Sequence, residues 1–239
     1  MSTPSRSPDP RRPYQQIADR IRTLIEDAAF TAGARLPPER ELAQQLGVSR
    51  PSLREALIAL EIDRRIEIRG GSGVYVCEPP ATSQGRATSA LGESPAELMQ
   101  ARAALEGAVI TLAAARVTPA GLQRLQDALQ AMRDDVQQGR PPVQADRRFH
   151  LAVAEMSGNL VLVDLVGALF DGRHSPLSSL MSDRAESPYS WGAAVAEHEA
   201  IVRALESRDP LAAAAAMSGH LHASHGRWLA EPLPGGDAA

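Results

Sequence analysis

Between Tyr14 and Val76 the spacing of apolar residues changes in an order that few folds accept. Ile17, Ile21, Leu24 and Ile25 recur at helical spacing as far as Phe30, and Thr31-Ala32-Gly33 ends the run. Pro37-Pro38 cannot sit inside a helix but can begin one, and Glu39 to Leu46 follows with Leu42, Ala43 and Leu46 on one side. Gly47-Val48 makes a tight turn, Ser49 is a good N-cap, and Pro51 is tolerated in a first turn. Leu53, Ala56, Leu57 and Leu60 then stand at i, i+3, i+4 and i+7, through about Glu61. The period next drops to two. Ile66-Glu67-Ile68 and Val74-Tyr75-Val76 alternate on either side of Gly70-Gly71-Ser72-Gly73, which is the pattern of a small hairpin. Three helices closed by a hairpin predict a winged helix-turn-helix.

Such a unit presents the N-terminus of its third helix to a major groove about 12 Å wide. That tip carries Ser49, Arg50, Pro51, Ser52 and Arg54. Arg50 and Arg54 are four apart and share a face, and arginine can pair with guanine through two parallel bonds. The two serines are short donors for phosphates or base edges. Arg40 can reach the phosphate backbone, and Gly71 at the hairpin tip can approach the minor groove. The charge supports this placement. The chain is −4 overall, but residues 1–80 hold 12 Arg against 11 acids, while the remainder holds 13 Arg against 18 acids, so a DNA contact belongs in the first third. The plainer reading makes Arg50 and Arg54 solvated residues of a structural domain; the adjoining hairpin weighs against it.

The remaining chain reads as helical. Residues 1–13 form a polar arm, 14–78 the winged head, 79–94 a linker rich in Pro, Ser, Thr and Gly, 95–231 an all-helical domain, and 232–239 a tail. Helices are expected near 95–117, 119–138, 143–157, 159–171, 190–207 and 209–229, with 172–189 a loop or broken helix. Aromatics are only 3%, so Leu, Ala, Val and Ile must do the packing, which suits helix on helix. A single cysteine, Cys77, excludes an intrachain disulfide, and no run of 18 apolar residues can span a membrane. A cytoplasmic protein is expected.

In the helical domain Asp146 and His150 lie at i and i+4 on one face. His198 shares a side with Ile201 and Leu205, and His220 follows Met217 by three. Three imidazoles and one carboxylate facing a bundle core would suit a divalent ion such as Zn²⁺, Ni²⁺ or Mn²⁺. Singly, each histidine is more often a core or surface residue, and spacing does not show that the four converge. An open metal site could also activate water, with Glu155 or Glu197 as base, in a metal-dependent hydrolase. A third reading is an architectural DNA binder without an effector.

The run from Arg35 to Ala43, the run from Leu46 to Leu57 and the hairpin Gly71 to Val76 resemble the GntR family of bacterial regulators. That resemblance implies operator contacts from Arg40, Arg50, Arg54 and Gly71; Arg35, Ser49, Pro51 and Ser52 complete the candidate DNA-binding set, and a homodimer on a palindromic site of double-stranded DNA is expected. Asp63-Arg64-Arg65 departs from the pattern, because the family usually has a glycine turn there. Arg102 with Glu106, Asp146 with Phe149 and His150, Gly158-Asn159, Glu197-His198 through Ile201, and His220-Leu221 are similar to the FCD sensor domain of the FadR-type branch. This second resemblance implies a metal on Asp146, His150, His198 and His220, and Arg102 over the pocket for the carboxylate of a small effector. The residues themselves leave open that Arg102 pairs with Glu106. Arg173 is a second candidate, Asn159 reads as an N-cap, His222 and His225 fit the ligand pattern less well, and His174 has no place in it. Pro37-Pro38, the run Arg54 to Ile62 and the run Ser94 to Arg102 resemble the hexuronate-responsive regulators of this branch, whose near relatives handle lactate, dicarboxylates and aldonates. The expectation is a repressor of a carbon-catabolic operon.

Overall fold

The computed structural model of the chain describes residues 12–78 and 91–229. The arm expected over 1–13 lies outside these except for Arg12 and Pro13. The linker expected over 79–94 lies outside except for its last four residues, and the tail expected over 232–239 lies outside entirely. The chain divides into two compact units, Met1–Ser94 and Pro95–Ala239.

The first unit contains α1 (Pro13–Asp27), α2 (Glu39–Leu46), α3 (Arg50–Ile62), β1 (Ile66–Arg69) and β2 (Gly73–Val76). The strands are antiparallel with Ile66 opposite Val76 and Ile68 opposite Val74. The segment before α2, which the sequence shows only as a connection, pairs along the other edge of β2: Gly33 N–H donates to Val76 O and Leu36 N–H to Val74 O, both at 2.8 Å. Tyr14, Ile17, Ile21, Leu42, Leu53, Leu57, Leu60 and Ile66 are buried. Each buried leucine contributes roughly 1.5–3 kcal/mol, so the stripe on α3 is what holds its N-terminus in position. Gly47 caps α2 in the left-handed region at φ 62°. Arg64 takes the same region at φ 55°. The turn into the wing therefore keeps a glycine-like conformation with an arginine, at about 1–2 kcal/mol.

Residues 91–94 are packed rather than free. Leu91 is buried, the Tyr14 hydroxyl donates to Gly92 O at 3.0 Å, and Ser94 Oγ donates to Glu55 Oε2 at 2.8 Å. Glu55 lies on the buried side of α3, and a buried carboxylate needs such partners.

The second unit contains α4 (Pro95–Ala114), α5 (Pro119–Gln137), α6 (Val143–Met156), α7 (Leu160–Asp171), a 3₁₀ turn (Gly172–His174), α8 (Pro176–Ala185), α9 (Pro188–Glu206) and α10 (Pro210–Leu229). One device starts most of them: a side-chain cap followed by proline in the first turn. Thr118 caps α5, Ser175 caps α8 and Ser187 caps α9, and Asp209 Oδ1 accepts from Leu211 N and Ala212 N before α10. Asn159 caps α7 by accepting from Val161 N at 3.0 Å. Of the two expectations for 172–189, a loop or a broken helix, the structure shows the second, with breaks at Ser175 and at Glu186-Ser187. The segment's two prolines, Pro176 and Pro188, begin α8 and α9. α4 packs on α10, α5 on α6 and α9, and α6 on α7. The core between them holds Ile110, Leu125, Met132, Phe149, Ile201, Leu205 and Met217. α7 leaves Leu160, Val161 and Leu165 exposed, as α4 does Leu112.

The wing offers a check on this description. Gly73 has φ 126°, and a Cβ there would lie 2.6 Å from Arg35 Nε, whereas a Cβ on Gly70 meets nothing within 4 Å. Gly73→Ala is expected to cost ~1–3 kcal/mol in urea unfolding, and Gly70→Ala less than ~0.5 kcal/mol. Equal losses would contradict the wing geometry.

Candidate functional site

The winged head exposes the tip that the sequence singled out. Ser49 and Arg50 are exposed, with Pro51, Ser52 and Arg54 half-buried behind them. Ser49 Oγ accepts from Ser52 N at 3.3 Å and lies 2.9 Å from Ser52 Oγ, so the cap and its neighbour fix each other. Arg35 and Arg40 are exposed, and Gly71 is exposed at φ 67° on the wing. Arg54 differs from the rest. Its Nη2 lies 3.0 Å from Glu39 Oε2 at the start of α2. An arginine four residues from Arg50 on the same helix is thus claimed by an acid that helical spacing on α3 alone could not reveal.

In the helical unit Asp146, His150, His198 and His220 come together. Each offers one ligand atom, and these atoms all lie within 4.8 Å of one another. α6 supplies Asp146 and His150 one turn apart, α9 supplies His198 and α10 supplies His220. Asp146 Oδ1 is 3.0 Å from His198 Nε2 and 3.3 Å from His150 Nε2, and those two nitrogens are 3.4 Å apart. Such separations are those of ligand atoms sharing one ion with bonds of about 2 Å.

Each imidazole is held by its other nitrogen. His150 Nδ1 pairs with Glu106 on α4, His198 Nδ1 donates to Ala194 O at 2.7 Å, and His220 Nδ1 pairs with Glu197 at 2.8 Å. Partners of this kind fix ring and tautomer and leave Nε2 as an acceptor. In the neutral form that ligates, these rings aim their lone pairs at a carboxylate oxygen. Asp146 Oδ1 is buried with no hydrogen-bond donor among the described residues. A cation satisfies this set.

The electrostatics follow from burial and these partners. Burial opposes the charge on Glu106, but Arg102 and His150 outweigh it and bring its pKa to about 2. Burial likewise opposes Asp146, yet His150 and His198 hold it well below the usual carboxylate range. Glu197, against its own burial, is brought to about 2 by His220 and Arg227. Burial and the neighbouring His198 push His220 down to about 3, so it is neutral near pH 7 and ready to ligate. His150 is raised: burial works against its charge, and the Glu106 carboxylate overcomes that.

A cavity of about 50 Å³ opens from the cluster, lined by Asp146, His198 and His220 together with Arg173, Arg227 and Trp191, among others. Arg102, expected over the pocket, has another occupation. It is 1% exposed, its Nε donates to Glu106 at 2.7 Å, and its guanidinium stacks on Phe170. Glu106, one turn on and equally buried, captures it. Of the two candidate arginines it is Arg173 that lines the cavity, and its Nη1 donates to Asp146 Oδ2 at 3.0 Å. Glu197, weighed as a general base, is tied to His220 and Arg227, while Glu155 is exposed beside Arg124. His174, His222 and His225 lie outside the cluster of four. The spacing of Arg102 and Glu106 left their pairing open, but the bond from Glu106 to His150, and those from Arg173 to Glu186 and Trp228, had no signal in the sequence, because these partners are distant along the chain.

Comparison with known proteins agrees with both halves. Residues 13–76 match the model of bacterial regulatory proteins of the gntR family, and residues 97–223 match the FCD domain. The Uxu operon transcriptional regulator of Escherichia coli K12 is 35% identical over 220 residues, covering 88% of this chain and 84% of that protein. The Exu regulon transcriptional regulator of the same strain is 33% identical over 219 residues, covering 89% and 83%. A third protein of that strain, whose name ties it to the L-lactate dehydrogenase operon, is 34% identical over 224 residues, covering 90% and 86%. These relatives are regulators of transcription, and the hydrolase reading does not stand beside them. Among the described residues no helix is long and apolar enough to cross a membrane. The chain belongs to the GntR family of bacterial regulatory proteins, with a winged helix-turn-helix followed by an FCD domain.

Proposed function

We propose that this chain is a cytoplasmic, homodimeric repressor of a carbon-catabolic operon, whose operator binding is governed by a small carboxylic acid at a metal-containing pocket. The observation that carries the proposal is the convergence of four buried acceptor atoms with no donor between them. Asp146, His150, His198 and His220 would hold the ion, as Zn²⁺, Ni²⁺ or Mn²⁺. When bound, it supplies an open position for a ligand oxygen.

Charge supports a single carboxylate. Arg102, Arg173 and Arg227 face Glu106, Asp146, Glu186 and Glu197 around the site. With neutral imidazoles this set has one surplus negative charge. A divalent ion turns it into one surplus positive charge, which a monocarboxylate neutralises and a dicarboxylate overshoots. Buried charge must be balanced in this way. Hexuronates and lactate both satisfy that condition. The resemblance to the Uxu and Exu regulators favours a hexuronate, whose hydroxyls would meet the polar side chains along the cavity: Ser224, and Ser190 and Trp191, which are bonded to Ser187 and Glu186.

On the DNA side, Ser49, Arg50, Pro51, Ser52 and Arg54 are the proposed reading tip, with Arg35, Arg40 and Gly71 at its flanks. The head is one of a pair, because the exposed apolar ridge of Leu112, Leu160, Val161 and Leu165 is a surface that a second copy would cover.

Three outcomes are expected. His150→Ala, His198→Ala and His220→Ala, measured by metal analysis after dialysis, lose the ion and the effector response but keep ligand-free operator binding. Full metal content in all three would overturn the site. Arg50→Ala lowers discrimination at one base of each half-site by ~1–3 kcal/mol; an unaltered operator preference in a binding-site selection would remove Arg50 from the reading set. Leu165→Arg yields a monomer by light scattering and weakens operator binding at least tenfold, whereas a dimer of native mass would place the interface elsewhere.

A further inference from the structure

The cavity beside the cluster holds about 50 Å³, room for water but well short of the several hundred Å³ of an ordinary small-molecule pocket. A sugar acid therefore needs some contact to give way. We propose that Glu186 occupies on Arg173 the seat of the effector carboxylate, acting as an internal competitor that keeps the pocket shut until an external carboxylate replaces it. This inference rests on the carboxylate reading given above.

Arg173 is fixed on three sides. Its guanidinium lies 5.0 Å from the ring centres of both Phe170 and Trp228, and Nη1 donates to Asp146 Oδ2 at 3.0 Å. The remaining partner is Glu186, with Nη2 to Oε1 at 3.5 Å. That distance is at the limit of a hydrogen bond, so Glu186 is the exchangeable partner and Asp146 the permanent one. A free carboxylate meeting the guanidinium through two parallel bonds trades one long contact for two ordinary ones.

The position of Glu186 makes the exchange consequential. It lies between the end of α8 and Ser187, the cap of α9, with extended backbone at φ −86° and ψ 142°. Its Oε1 also accepts from Ser182 Oγ on α8, and its Oε2 accepts from Trp191 Nε1 on α9 at 3.2 Å. One carboxylate thus ties two helices to the arginine of the pocket. Displacing it unties the α8–α9 corner and opens the wall formed by Glu186, Ser190 and Trp191.

The chain has two tryptophans, Trp191 and Trp228, and both touch this network. Intrinsic fluorescence therefore reports on the corner directly. The full-length protein, loaded with zinc and held at constant ionic strength, is titrated with sodium acetate as the bare carboxylate. Glu186→Gln is expected to bind acetate about tenfold more tightly than the native chain. Trp191→Phe, which removes an anchor of Glu186 without changing charge, shifts affinity in the same direction, followed by the emission of Trp228 or by calorimetry. Arg173→Gln abolishes binding in either background. Equal acetate affinity with and without Glu186 overturns the proposal, as does a gain from Glu186→Gln that persists in the Arg173→Gln background. D-glucuronate, D-galacturonate and L-lactate are then tested for release of the operator. If acetate follows the expected order while none of these acids acts, the effector reading fails and the latch stands. If they release the operator while Glu186 is irrelevant to acetate, the reverse holds.

Discussion

Three imidazole nitrogens and a carboxylate oxygen share one space in the interior of the helical domain. With neutral rings their lone pairs face one another, and among the described residues Asp146 Oδ1 has no hydrogen-bond donor. The bundle has been arranged to hold them there regardless. α4 lends Glu106 to His150, α9 lends Glu197 to His220, and the backbone of α9 holds His198. Each of these supports is spent on a ring nitrogen that points away from the centre. That division, one nitrogen anchored outward and one left free inward, is what a metal-binding imidazole requires, and it ties four helices to a common point.

The same constraint explains the arginines. One buried carboxylate, Glu106, and three half-buried ones, Asp146, Glu186 and Glu197, surround this centre, and such a set needs cations beside it. Arg102 and Arg227 are committed to Glu106 and Glu197 through short bonds. Arg173 is the exception, because it divides itself between a ligand residue, Asp146, and Glu186 at the α8–α9 corner. A site with one cation whose second carboxylate partner is loosely held, and with one surplus charge, is suited to binding an anion. A sensor must bind its ligand unequally in two states, and a displaceable internal carboxylate is a compact way to build that difference.

The two units join along the chain at Ser94 and Pro95. α4 carries Glu106, the support of His150, and begins at Pro95 directly after Ser94. Ser94 is bonded to Glu55, which lies on the buried side of the helix whose tip presents Arg50. The last residues of the sequence-defined linker are therefore part of the head, and the start of α4 is covalently continuous with a residue anchored in α3.

The sequence alone determined the reading head, because local signals suffice there: Ser49 and Pro51 start α3, the leucine stripe orients it, and alternation around Gly70 to Gly73 makes the wing. It also determined most helix boundaries in the second half and the four candidate ligands. Local signals misled where one residue has two meanings. Pro176 and Pro188 read as breakers, but with Ser175 and Ser187 before them they are starters. Only the tertiary structure decided which arginine lines the pocket, since Arg102 and Arg173 are equally basic and a buried Glu106 takes the first. It alone decided that Asp146, His150, His198 and His220 converge, and that Glu106, Glu197 and Glu186 serve them. The physical reason is that helical periodicity offers partners on one helix, as Glu106 is offered to Arg102, but whether such a pair is buried, and which groups of other helices reach it, depends on how the helices pack.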